Sequence, residues 1–298
     1  MTDAALTNEN ARAAVKGRSL WDDARRRLMR NPAAVASLWV VGVLVVLAAF
    51  GPLLWVHNVD TIFRESVAIP PTFANWHLLG TDTEGRDMVA RLLFGLRISL
   101  LVGAAATAVA LTIGLIYGAV AGFLGGAVDN LMMRFVDVLY SIPFIFFVIV
   151  LMTIVPERNI ILIFMAIGAV EWLTMSRIVR GQTIALRNKE FVEAARASGA
   201  SPLEIVFRHI VPNVLGPVVV FATLNVPVII LAESFLSFLG LGVQEPLTSL
   251  GLLISRGARE MEASPWLLIA PAVTMLTTLL ALNFLGDGLR DALDPKER

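Results

Sequence analysis

The chain has 298 residues, of which 57% are hydrophobic and 16% charged, and its 24 basic residues balance 24 acidic ones. A soluble domain carries about 45–50% apolar and about 25% charged residues, and a chain of this length cannot wrap so apolar a composition in a polar shell. A water-soluble fold is excluded, zero net charge gives no general attraction to nucleic acid, and the lack of cysteine excludes disulfides, thiolate metal sites and cysteine nucleophiles.

The first 32 residues are polar and charged, unlike a secretory signal, and are expected to form a cytoplasmic tail. Ser19 is placed to cap a short helix whose Leu20, Trp21, Ala24 and Leu28 share one face, next to Arg25, Arg26 and Arg27. This segment reads either as an amphipathic helix on the inner membrane surface or as a charge cluster that sets orientation. Asn31-Pro32 ends it.

A helix crossing the hydrocarbon needs about 20 largely apolar residues. Residues 33–56, 98–128, 210–232 and 263–286 meet this without a charge. Residues 138–155 and 159–176 are shorter spans, the second containing Glu171, and Pro156, Glu157 and Arg158 between them read as a tight turn. The expected fold is an all-α integral membrane protein with six transmembrane helices. A six-helix transmembrane domain covers residues 33–286, with a cytoplasmic loop at 177–212 and a cytoplasmic tail at 287–298. With both ends inside, 17 of the 24 basic residues fall on inner segments, as the positive-inside rule requires. Two outer loops, about 57–97 and 240–265, lack a periodic pattern that would define a domain. The three histidines, His57, His77 and His209, are too scattered along the chain to suggest a metal cluster.

Within the second span Gly114, Gly118, Gly122 and Gly126 repeat every four residues, a smooth strip for close approach of another helix or a sliding seam. Glu171 and Glu233 fall inside or at the edge of spans, where a charge is a functional hypothesis by default. Glu171 lies two turns from Arg177 near the inner edge and Glu233 lies near the outer interface, which makes a structural role the stronger reading for both.

The loop between the fourth and fifth spans carries the sharpest signals. Residues 190–198 read as a helix stopped by Gly199, the residue type suited to a left-handed helix end. Ser201, Pro202 and Glu204 then form a Ser-x-x-Glu capping box with proline in the first turn. A rigid helical knob on the inner side follows, with a surface loop on the headgroups as the plainer reading.

Glu193-Ala194-Ala195 followed by Gly199 and, thirteen residues later, Pro212 resembles the EAA loop of binding-protein-dependent ABC importer permeases, with His209 and Val211 where that family usually has Ile and Leu. Leu79-Gly80-Thr81-Asp82 with Gly85-Arg86-Asp87 resembles the outer-loop signature of the dipeptide/oligopeptide (and nickel) branch. So do Gly125-Gly126 with Asp129 and Asp137, Leu236-Ser237-Phe238-Leu239-Gly240-Leu241-Gly242, and Gly286-Asp287-Gly288-Leu289-Arg290-Asp291. The moderate first outer loop looks more like the C-type than the B-type subunit.

The resemblance implies a type I importer-like transmembrane domain in a prokaryotic inner or plasma membrane. It implies a heterodimer with a homologous permease, two ATP-binding cassette subunits, an extracytoplasmic solute-binding protein and transport by alternating access. It also assigns Glu193, Ala194, Ala195, Gly199, Ala200, Ser201, Pro202 and Pro212 to contact with an ATPase subunit. No Gly-x-x-x-x-Gly-Lys-Ser/Thr loop occurs, so ATP and Mg²⁺ are expected on the partner subunits and no cofactor on this chain. A non-catalytic subunit importing di- or oligopeptides is the leading reading. Import of nickel or another small solute by the same machine stands beside it, as do a stand-alone secondary transporter and an intramembrane hydrolase. Substrate-contact residues are not assigned.

Overall fold

In hydrocarbon a chain must satisfy its own backbone polar groups, and an α-helix does so within one segment. The computed structural model describes residues 20–154 and 160–293, and these are helical apart from loops and two isolated β-bridges, Ile62 to Arg86 and Thr81 to Asp87. The Ser19 cap, the turn at Pro156, Glu157 and Arg158, and the basic residues after Leu293 lie outside the described residues.

The elements are α1 (Leu20–Arg30), α2 (Pro32–Leu54), α3 (Met88–Leu124), α4 (Gly126–Tyr140), α5 (Phe144–Ile154), α6 (Ile160–Leu186), α7 (Glu190–Ala197), α8 (Pro202–Ile205), α9 (Val211–Phe238), α10 (Leu250–Arg259) and α11 (Trp266–Leu293). Among the described residues five helices are long and apolar enough to cross a membrane, namely α2, α3, α6, α9 and α11, and the pair α4–α5, bent by 78°, adds a sixth where it is counted as one broken span.

Two expected spans change shape. The second begins at Met88, where Asp87 caps it by accepting a 2.8 Å hydrogen bond from the amide of Ala90. It stops at Leu124 because Gly125 (φ +65°) and Gly126 (φ +58°) turn left-handed, a conformation costly to side chains with a Cβ. The third is a broken element. Pro143 lies at the break, where it disfavours helical backbone in the residue before it. The last helix continues past Gly286 to Leu293.

Three of the four stripe glycines seat α3 on α6. A Cβ at Gly114 would lie 2.6 Å from Met175 Cβ, one at Gly122 2.8 Å from the Arg180 carbonyl, and one at Gly118 would strike the Ser176 carbonyl. Gly126, beyond the helix end, faces open space. Arg180 adds a bidentate pair to Asp129 at 2.6 and 2.7 Å, and Arg177 reaches Asp137 at 2.8 Å, so α4 is tied to α6.

The bundle has two distinct ends. One, the hairpin end, carries α1, α7 and α8; the other, the cap end, carries residues 55–87 and 239–265. At the hairpin end Ala24 of α1 is buried and Leu28 reaches the Gly288 turn of α11. On that side of α1, Ala24 and Leu28 thus meet protein. Along α2, Trp39, Val43, Val46, Phe50 and Leu53 remain exposed, an apolar surface suited to lipid.

Candidate functional site

The loop at the hairpin end folds as its sequence dictates. α7 carries Glu190 and Glu193 in its first turn, where negative charge favours the positive end of the helix dipole. It ends at Gly199 with φ +83°. There the amide of Ala200 donates to the Ala195 carbonyl at 3.1 Å, which satisfies a helix-end acceptor. Ser201 then caps α8, its Oγ accepting from the amide of Glu204 at 3.3 Å, with Pro202 in the first turn. Only half of the capping box forms. The Glu204 carboxylate lies 3.5 Å from Arg208 across one helical turn, an alternative partner that its local sequence supplies. A π turn, Val206–Ile210, then leads directly into α9.

The hairpin is held from inside. Val192, Ala195, Ile205, Val206 and Ile210 are buried in one apolar cluster with Ala119, Phe123, Val179 and Val214 of the spans. The Arg196 guanidinium lies 5.3 Å from the Phe123 ring centre. Glu193, Ala194, Gly199, Ser201 and Pro202 are exposed and Ala200 half-buried, while Ala195 forms the buried floor. A shallow groove of about 570 Å³ runs between the two helices, lined by Phe191, Ala194, Ser198, Gly199, Ala200 and Arg208 among others. Of the eight residues expected there, Ala194, Ala195, Gly199 and Ala200 line this groove, and Glu193, Ser201 and Pro202 are exposed beside it on the same hairpin. Pro212 is exposed in the first turn of α9, away from the groove lining.

At the cap end sit residues whose joint role the sequence did not reveal. Arg86 bridges Asp82 (3.0 Å), Glu84 (2.6 Å) and Glu245 (2.8 Å), and Arg256 closes on Glu245 at 2.5 Å and Glu84 at 3.2 Å. Arg91, fully buried, lies 3.5 Å from both Asp82 and Glu245. Burial alone would raise the Glu245 carboxyl pKa, but Arg256 and Arg86 outweigh it and hold the carboxyl below its ordinary range. Burial likewise works to lower the Arg86 pKa, and Asp82 and Glu245 more than reverse it.

The histidine expectation needs correcting. His57 and His77, far apart in sequence, stack with ring centres 4.8 Å apart, and His77 Nδ1 is 2.9 Å from Asp87, itself hydrogen-bonded by Trp55 Nε1 at 2.9 Å. The two rings and Asp87 offer ligand atoms within 4.8 Å of one another. The ring planes are inclined by only 22°, and His57 Nε2 already lies 2.8 Å from the Asn75 carbonyl. That geometry suits packing against Phe63 better than convergent ligation.

Glu233 is fully buried, and its Oε1 accepts hydrogen bonds from Ser237 (2.6 Å) and Ser249 (2.8 Å). Because Ser249 also caps α10, Glu233 pins the cap to α9. Glu171 is only half-buried, on α6, with the amide of Asn225 beside it.

Residues 110–298 match the family described as binding-protein-dependent transport system inner membrane component, and residues 19–71 match the N-terminal TM domain of oligopeptide transport permease C. The chain is 55% identical over 293 residues to the oligopeptide transport system permease protein OppC of Escherichia coli K12, covering 98% of this chain and 97% of that one. It is 54% identical over 284 residues to OppC of Haemophilus influenzae (95% and 91% covered) and 43% identical over 282 residues to the dipeptide transport system permease protein DppC of Bacillus subtilis (94% and 87% covered).

Proposed function

The chain belongs to the inner membrane components of binding-protein-dependent transport systems, and on that premise we propose that it is the membrane-spanning permease of an ATP-driven oligopeptide importer. It works beside a second, homologous permease, two ATP-binding cassette subunits that hold ATP and Mg²⁺, and an extracytoplasmic solute-binding protein. The chain itself performs no hydrolysis. The hairpin end faces the cytoplasm, a reading supported by the basic residues Arg25, Arg26, Arg187, Lys189, Arg196 and Arg208 in and around it.

The observation that carries this reading is the hairpin of α7 and α8. Its outer surface is exposed while its inner surface is locked into the spans. A partner gripping Glu193, Ala194, Gly199, Ala200, Ser201 and Pro202 would therefore move the bundle rather than deform a loop. The helical path from Pro202 to Phe238 spans 37 residues, about 55 Å at 1.5 Å per residue. It ends where Glu233 holds Ser249 of the cap. ATP-driven closure of the cytoplasmic subunits would thus tilt one lever and shift the opposite mouth, which is the geometry alternating access needs.

The lack of native cysteine makes the test direct. Ala200→Cys, crosslinked in native membranes, should yield an adduct with an ATP-binding subunit identifiable by mass spectrometry. A thiol that reacts readily with a small reagent yet forms no such adduct would refute the coupling role.

A further inference from the structure

Glu171 lies in α6, six residues before Arg177, whose pair with Asp137 marks the charged inner belt. At 1.5 Å per residue the carboxyl is about 9 Å deeper into the membrane. Glu233, an acid within α9, is by contrast fully buried and hydrogen-bonded by two hydroxyls. Glu171 is half-exposed and forms no ion pair among the described residues. Beside it stands Asn225 of α9, 6% exposed, whose Nδ2 completes no hydrogen bond of normal geometry. A buried amide donor left open next to an acid at membrane depth is expensive unless something arrives to use both.

The face on which Glu171 sits is uncovered. Glu171, Thr174 and Ile178 are half-exposed and Gln182 is exposed, at spacings that place all four on one side of the helix. Gly181, next to them, meets nothing within 4 Å of a built Cβ. Of these residues Glu171 and Thr174 lie on the membrane side of Arg177, and an acid with a hydroxyl one turn away is a poor lipid surface, so this face borders water or the partner permease. The lipid-facing surface of α2 shows the contrast, being Trp39, Val43, Val46 and Phe50.

Resting on the peptide-permease reading above, we propose that Glu171 and Asn225 form a station in the translocation pathway for the amino-terminal end of the passing peptide. The chemistry is matched. A carboxylate accepts from a protonated amino group, and the Asn225 amide donates to the carbonyl of the same peptide residue. A site of one acid and one amide reads only features common to all peptides, and so tolerates any sequence.

Two measurements on the assembled complex in proteoliposomes test this. In Glu171→Cys the thiol should react with a charged, water-soluble reagent at least about tenfold faster than in the lipid-facing control Val43→Cys. In uptake, Glu171→Gln should lower peptide transport about tenfold, the scale of one charge-assisted hydrogen bond, with binding-protein-stimulated ATP hydrolysis retained. Glu171→Asp should recover most of the uptake. The proposal is overturned if the thiol at position 171 reacts no faster than at position 43, if Glu171→Gln transports as wild type, or if Glu171→Asp is as impaired as Glu171→Gln. Parallel loss of ATP hydrolysis in Glu171→Gln also overturns it, making Glu171 a structural residue. If the wild-type complex takes up no peptide at all, the parent reading fails instead, while the labelling contrast still decides whether this face is aqueous.

Discussion

Nothing lies within 4 Å of the place where a Cβ would stand at Gly199, yet the backbone there has φ +83°. The requirement for glycine is therefore conformational and not steric. Gly199→Val should cost about 1–2 kcal/mol in the hairpin, loosening α7 against α8 and lowering peptide uptake per ATP hydrolysed without preventing membrane insertion. Gly199→Asn, whose side chain tolerates the left-handed region, should transport close to wild type. Equal uptake per ATP in the Val variant and wild type would refute a rigid coupling role. Gly199 and the Ser201 cap were legible in the sequence because their partners lie within a few residues. The Glu245 contacts to Arg91 and Arg86 span 154 and 159 residues, and the stacking of His57 on His77 depends on the fold of the whole first outer loop. Such pairings have no local signal.

At the scale of elements the glycine stripe divides. Gly114, Gly118 and Gly122 let α3 lie against α6, whereas Gly126 belongs to the turn that ends α3. Periodicity could not separate them, because an i, i+4 repeat continues smoothly through a helix end that only the backbone angles reveal. The broken α4–α5 span was hidden for a related reason. The apolar run beginning at residue 138 has the length of a helix, and a proline near its start marks a probable boundary without fixing the angle. The seam itself makes a sharp prediction. Gly118→Leu would drive a side chain into the Ser176 carbonyl, and overpacking of this kind costs about 1–3 kcal/mol or more. The melting temperature of the purified permease should fall by several degrees. Gly42→Leu, on the lipid-facing helix with nothing within 4 Å, should leave it unchanged. Equal melting of the two variants would mean that α3 and α6 are not held at contact distance.

Across the whole molecule, the lever from Pro202 to Phe238 works only if the cap moves with it, and the cap is joined by charge as well as by Glu233. Glu245, on the loop after α9, gathers Arg86 from the first outer loop and Arg256 from α10. Burial works to raise the Glu245 pKa, the two arginines more than offset it, and the folded value ends below the ordinary one. A carboxyl depressed in this way stabilises the fold fully above its unfolded pKa, about 4.3. That contribution is lost as pH falls through the lower folded value. Between pH 7 and about 5 the cap should therefore hold unchanged, and it should weaken only below about pH 4. Glu245→Gln removes this dependence. Its melting temperature should lie below that of wild type at neutral pH, and the gap should close as both are taken into acid. A gap that stayed constant down to pH of about 3 would show that Glu245 does not carry the link. The loops at the far mouth would then be joined to the lever through uncharged contacts and through Glu233 with Ser249.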